Sequence, residues 1–168
     1  MMLGKTMLTT AASYHHWATE RILDGARHLK DAEYRAPGAQ GGRSVHDALF
    51  HMLRVDHVWR TVCEQPGQPF TPLSPDDHPD LAAIRAAWDS EAEALSALLA
   101  RLSDDDLATV VEIRDWRGQA SRIERWRTLF QMLLHGMQHR SELAQFLTEH
   151  GHSPGDIDFI IYTFSRSG

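Results

Sequence analysis

Apolar residues recur every three to four positions over four long stretches free of internal proline, the spacing of one buried helical face. The first stretch runs from about Thr9 to Leu29 and carries Tyr14, Trp17, Ile22 and Leu29 among Arg, Glu and Asp. It yields at Lys30 to a loop holding Pro37, Gly38, Gly41 and Gly42. Ser44 opens a second helix to about Cys63, with Asp47 three residues on completing a capping-box pattern. Prolines from Pro66 to Pro75 make the next segment a loop, and Pro79 suits the first turn of a third helix over about Asp80 to Leu102. Ile84, Trp88, Leu95, Leu98 and Leu99 give that helix its core stripe. From Thr109 to Ala120 β-branched and polar residues alternate around Trp116-Arg117-Gly118, which predicts a short hairpin or an irregular crossover. Ser121 with Glu124 reads as the capping box of a fourth helix ending near His150, where Gly151 supplies a left-handed stop. Ser153-Pro154-Gly155-Asp156 is positioned to cap a short last helix through Phe164. Long helices with partly long connections predict an all-α four-helix bundle with at least one crossover.

Composition narrows the function classes. A length of 168 residues fits one domain, 1–168, with a real core. Seventeen Lys and Arg against twenty-three Asp and Glu leave a net charge of -6, the wrong sign for gripping phosphate backbones, so nucleic acid is not expected as a partner. Cys63 is the single cysteine and cannot form an internal disulfide; with no signal-like opening and no apolar run of membrane-spanning length, a cytoplasmic protein that does not enter membranes is expected. The unusual count is eleven histidines.

On a helical wheel the second helix places Val45, Ala48, Leu49, Met52, Asp56, Trp59 and Cys63 on its core stripe. His46 and His57 fall on the polar side, while His51 lies at the stripe's edge beside Val55, Val58 and Val62. The fourth helix has Trp126, Phe130, Leu133, Met137 and Ala144 along its most apolar line, with His135 and His139 on the widened flank. A spacing of four stacks two imidazoles one turn apart, close enough to share one metal ion, and a third ligand from a neighbouring helix would make a His₃ set with open positions. The motif alone is weak, because eleven histidines in 168 residues yield about 0.7 chance H-x-x-x-H matches. Two readings stand at this point: a metal site, or half-buried histidines satisfied by ordinary hydrogen bonds.

Arg140 falls on the most apolar line of the fourth helix, and a buried guanidinium needs an anion. Asp56 is the expected ion-pair partner, with Asp156 or Asp158 as substitutes. Arg114, Arg117, Arg122, Arg125 and Arg127 cluster around the hairpin, either as a solvated face or as an anion-attracting mouth. The glycine-rich run Gly38 to Ser44 lacks a P-loop lysine and a preceding strand. Cys63 reads as a buried inert thiol. No G-x-S-x-G elbow occurs, and the Glu-x-x-His pairs of di-iron bundles are absent.

The run Leu134-His135-Gly136-Met137-Gln138-His139-Arg140, followed by Leu143, Phe146-Leu147, Gly151, Pro154, Asp158 and Tyr162, resembles the C-terminal signature of the DinB-like (DinB/YfiT) family of metalloenzymes. Tyr14 to Arg21 is similar to that family's aromatic first-helix motif, and Ser44 through His51, Asp56 and Trp59 to its second-helix histidine motif. The resemblance covers nearly the whole chain. It implies a four-helix bundle with a long crossover and a divalent ion on one histidine of the second helix and two of the fourth, which match His51, His135 and His139. His15 and Thr19 stand where that family commonly has asparagine, and Ser141 where glycine often follows the His-Arg pair.

Kinship further implies thiol-dependent chemistry, since relatives include low-molecular-weight-thiol S-transferases and a mycothiol-dependent isomerase. The expectation is a metal-dependent transferase in which a small thiol attacks an electrophilic small molecule, with the hairpin arginines holding the thiol's carboxylates and Arg140 structural. A metal-dependent hydrolase, or a non-catalytic metal-binding stress-response bundle, is the alternative. Zinc is the default for three histidines and nickel also suits imidazole. A homodimer is expected by the same kinship.

Overall fold

The computed structural model describes residues 3–39, 41–114 and 117–166. Among them, four long helices form the bundle: α1 (Leu3–Ala26), α3 (Val45–Glu64), α4 (Leu81–Arg101) and α6 (Arg125–Glu149). Short helices α2 (Asp31–Arg35), α5 (Asp104–Ala108) and α7 (Phe159–Ser165) sit in the connections, with a 3₁₀ turn at Pro75–Asp77. α3 packs on α4 and α6, and α1 packs on the same two, so the ring order is α1, α4, α3, α6. The steps from α1 to α3 and from α4 to α6 therefore both cross a diagonal of the bundle. No helix among the described residues is long and apolar enough to cross a membrane.

The element ends follow from local chemistry. Ser44 caps α3 by accepting from the Asp47 amide at 3.0 Å, while the Asp47 carboxylate accepts from the Ser44 hydroxyl rather than from its backbone. Asp80, not Pro79, starts α4, its Oδ1 accepting from the Ala83 amide at 2.9 Å. α1 begins six residues earlier than Thr9 because a distant side chain caps it: Asp104 Oδ1 of α5 accepts from the Lys5 amide at 2.8 Å. Gly151, at φ 79°, ends α6 as expected.

The hairpin is present as β1 (Val110–Arg114) antiparallel to β2 (Ala120–Glu124), and Trp116 of the predicted turn lies outside the described residues. It overturns the capping box expected at Ser121. Ser121 pairs with Ile113 in the ladder, so Glu124 is the helix boundary and gives α6 no side-chain cap. Likewise Asp158, rather than the Ser153 to Asp156 segment, precedes α7.

The apolar line expected to bury α6 is split: Leu133 and Arg140 are buried as expected, whereas Trp126, Phe130 and Met137 are 41%, 43% and 48% exposed. The buried face is Thr128, Leu129, Met132, Leu133, Gly136, His139, Arg140, Leu143 and Leu147, so the helix is rotated from the expected line toward the flank that carries His139. His139 and Arg140 belong to a layer that divides the core. On one side lie Ile22, Leu49, Met52, Ile84, Trp88 and Leu143. On the other lie Cys63, Leu95, Leu98, Leu107, Leu129 and Met132. Between them every long helix contributes a buried polar group: His15 and Thr19, Asp56 and Arg60, Glu91, and His139 and Arg140.

Candidate metal centre

α3 and α6 are neighbours, and their facing edges bring His51 together with His135 and His139. His51 Nε2 lies 3.2 Å from His135 Nε2, which lies 2.9 Å from His139 Nε2. Three nitrogens ligating one ion at about 2.0 to 2.1 Å sit roughly 3.0 to 3.4 Å apart; these two separations are close to that range, and one ring nitrogen from each histidine lies within 4.8 Å of the other two. The donors also fit chemically. His139 Nδ1 lies 2.9 Å from Glu142 Oε2, which as a carboxylate accepts a hydrogen bond from Nδ1–H and leaves the Nε2 lone pair toward the cluster. Burial, and the nearby Arg43 guanidinium, hold His51 at a pKa of about 4; burial and the neighbouring His139 do the same to His135. His139 is lowered too, again chiefly by burial. All three are therefore neutral near pH 7 with lone pairs available.

Arg43 was not legible in the sequence as a site residue, because it lies in the glycine-rich loop before the Ser44 cap. Its charge nonetheless acts on all three histidines, and that of Arg54 acts on His51. Glu142, three residues after His139, also went unnoticed; the i, i+3 spacing was the available signal.

Behind this cluster the expected Asp56–Arg140 ion pair is replaced by a relay. His15 stands between the two residues, its Nε2 2.6 Å from Asp56 Oδ2 and its Nδ1 2.7 Å from the Arg140 guanidinium. Arg140 can only donate, so His15 Nδ1 accepts and its Nε2–H donates to Asp56. Burial lowers the His15 pKa, which keeps the ring in this neutral tautomer. Thr19 Oγ1 lies 3.5 Å from Arg140. Two of the three positions where the chain departs from the resemblance, His15 and Thr19, are thus partners of Arg140. The approach of α1 to α6 depends on Gly136, where an added Cβ would lie 2.3 Å from His15 Cε1.

The other candidates separate from the centre. Arg114 pairs with Glu112 at 2.7 Å, Arg127 with Glu124 at 3.1 Å, and Arg125 donates to the Asp106 carbonyl at 2.9 Å, so these hairpin arginines serve local contacts. Cys63 is buried and its thiol is pushed up to about 12, which makes it inert. His46 and His57 are half-buried rather than solvated, bonded to Tyr34 and to Glu91 respectively.

The model of the DinB family matches residues 2–166, and the chain belongs to that family. Among solved structures, a DinB-like protein (YjoA) from Bacillus subtilis is similar with a TM-score of 0.59 at 16% identity, covering 85% of this chain and 93% of that one. YfiT from Bacillus subtilis, described as "a probable metal-dependent hydrolase with an unusual four-helix bundle topology", is similar with a TM-score of 0.60 at 13% identity, covering 85% and 87%. No curated protein matches.

Proposed function

We propose that the chain is a cytoplasmic metal-dependent enzyme in which His51, His135 and His139 hold one divalent ion and a small thiol attacks an electrophilic small molecule. The supporting observation is the convergence of three neutral imidazole nitrogens from two neighbouring helices. A divalent ion there, zinc by default and nickel by similar chemistry, keeps its full charge and lowers the pKa of a thiol or water beside it. Glu142 orients His139, and Arg43 offers a cation for an anionic group of the thiol.

The description of YfiT favours a second reading, hydrolysis with water as nucleophile on the same ligands. Elemental mass spectrometry of untagged protein purified without chelator is expected to find zinc or nickel near one per chain, and His135→Ala to lose it. Thiol-dependent consumption of an electrophile by the loaded protein would carry the first reading. Thiol-independent ester or amide cleavage would carry the second, and an idle loaded protein would leave a metal-binding bundle. The outward α6 stripe of Trp126, Phe130, Leu134 and Met137, all more than two-fifths exposed, supports a homodimer as the working form.

A further inference from the structure

The helix pair opposite the three histidines carries a second cluster built on the same plan. α1 supplies His16 and Glu20, four residues apart on one face, and α4 supplies Asp89. One ligand atom from each lies within 4.8 Å of the other two. Two of these groups have polar atoms without partners: His16 Nδ1 and Glu20 Oε1 are shielded from solvent and make no hydrogen bond. Both can accept, and a buried acceptor left unsatisfied costs about 1 to 3 kcal/mol, so a cation between them removes a real penalty. Glu20 is also held for this task. Arg85 takes its other oxygen, Oε2, at 2.6 Å and anchors itself on Asp24 at 2.9 Å, which holds the carboxylate in place while Oε1 stays unpaired. His16 and Asp89 line a cavity of about 720 Å³ between α1 and α4, whose walls do not include the three histidines, so an ion there has its own access to solvent.

We propose that His16, Glu20 and Asp89 form a second divalent-cation site, separate from the histidine centre. One imidazole and two carboxylates make a harder donor set than three imidazoles, with net charge -2 before Arg85 is counted. That set accommodates Mn²⁺, whereas the three histidines favour zinc or nickel.

Mn²⁺ alone is the probe. Titrated into the His135→Ala variant, whose histidine centre is disabled, it is expected to bind at one ion per chain, read by loss of the free-ion electron spin resonance signal. Spin-echo modulation is expected to report one coordinated imidazole nitrogen. In the same background, Asp89→Ala and Glu20→Gln are each expected to weaken binding at least about tenfold. Asp89 is exposed on α4, so its removal leaves the fold intact, which circular dichroism checks. No Mn²⁺ binding by His135→Ala, or unchanged affinity in both carboxylate variants, would overturn the site while leaving the histidine centre untouched.

Discussion

Gly136 shows how far one missing methyl group reaches. Alanine is the better helix former by about 1 kcal/mol, so the local prediction for Gly136→Ala is stabilisation. Against it stands a Cβ placed 2.3 Å from His15 Cε1 and 2.9 Å from the Arg140 guanidinium, both buried and both already partnered. Overpacking of that kind costs about 1 to 3 kcal/mol, and displacing His15 also strands Arg140 and Asp56, so a net loss of roughly 2 kcal/mol is expected in urea unfolding. In a His15→Asn background, where the shorter side chain vacates the clash, the same change should cost less; equal losses in the two backgrounds would show that His15 is not what Gly136 accommodates. A second residue-scale expectation concerns Glu142. Glu142→Gln keeps the size of the side chain but loses the carboxylate that holds the His139 ring proton, and zinc affinity by competition with a chelator should fall about 10- to 100-fold with the fold unchanged.

At the scale of the element, α6 separates what the hydrophobic pattern reads from what it misses. Its outward stripe carries Trp126, Phe130 and Met137 while its buried face carries His139 and Arg140, so a wheel alone turns the helix part of the way round. Replacing Trp126 and Phe130 together by Ser should move monomer stability by only about 0.5 kcal/mol, whereas Leu129→Ala on the buried face should cost about 2 to 5 kcal/mol. The reverse ranking in thermal melts of both variants would restore the wheel's assignment. Helix existence was legible because periodicity and caps such as Ser44 are local. The start of α1 was not, because its cap is Asp104, ninety-nine residues away. Ser121 and Glu124 had the right spacing for a capping box but the wrong neighbours, since the strand opposite claims Ser121. The three histidines were singled out by spacing and half-burial, signals confined to single helices. The roles of His15 and Arg43 come only through contacts between elements or through a loop, to which periodicity is blind, whereas Glu142 was within reach of the i, i+3 spacing to His139.

Over the whole molecule, burial leaves several imidazoles neutral that titrate normally when the chain unfolds. His15 is lowered, and His51 and His135 reach about 4, each chiefly by desolvation. An unfolded histidine takes its proton near pH ~6.5, so below that pH the unfolded chain binds more protons than the folded one. Stability of the metal-free protein should therefore be fully present above about pH 6.5 and fall steadily as the pH drops toward 4. Melting temperatures in chelator across that range are expected to show this slope, and His15→Asn to make it shallower. A flat profile would mean that these rings protonate in the folded state.

The polar layer that cuts the core in two governs something else: how the helices are allowed to slide. An apolar contact survives a shift of one turn, because one leucine can replace another, but Asp56, His15 and Arg140 meet only when α1, α3 and α6 stand at a single height. A slip of about 5.4 Å along any of the three axes would strand at least one buried charge. The layer thus acts as a key cut across the bundle. Leucine, isoleucine and methionine can drift among themselves in the two halves, while the members of the key can change only together.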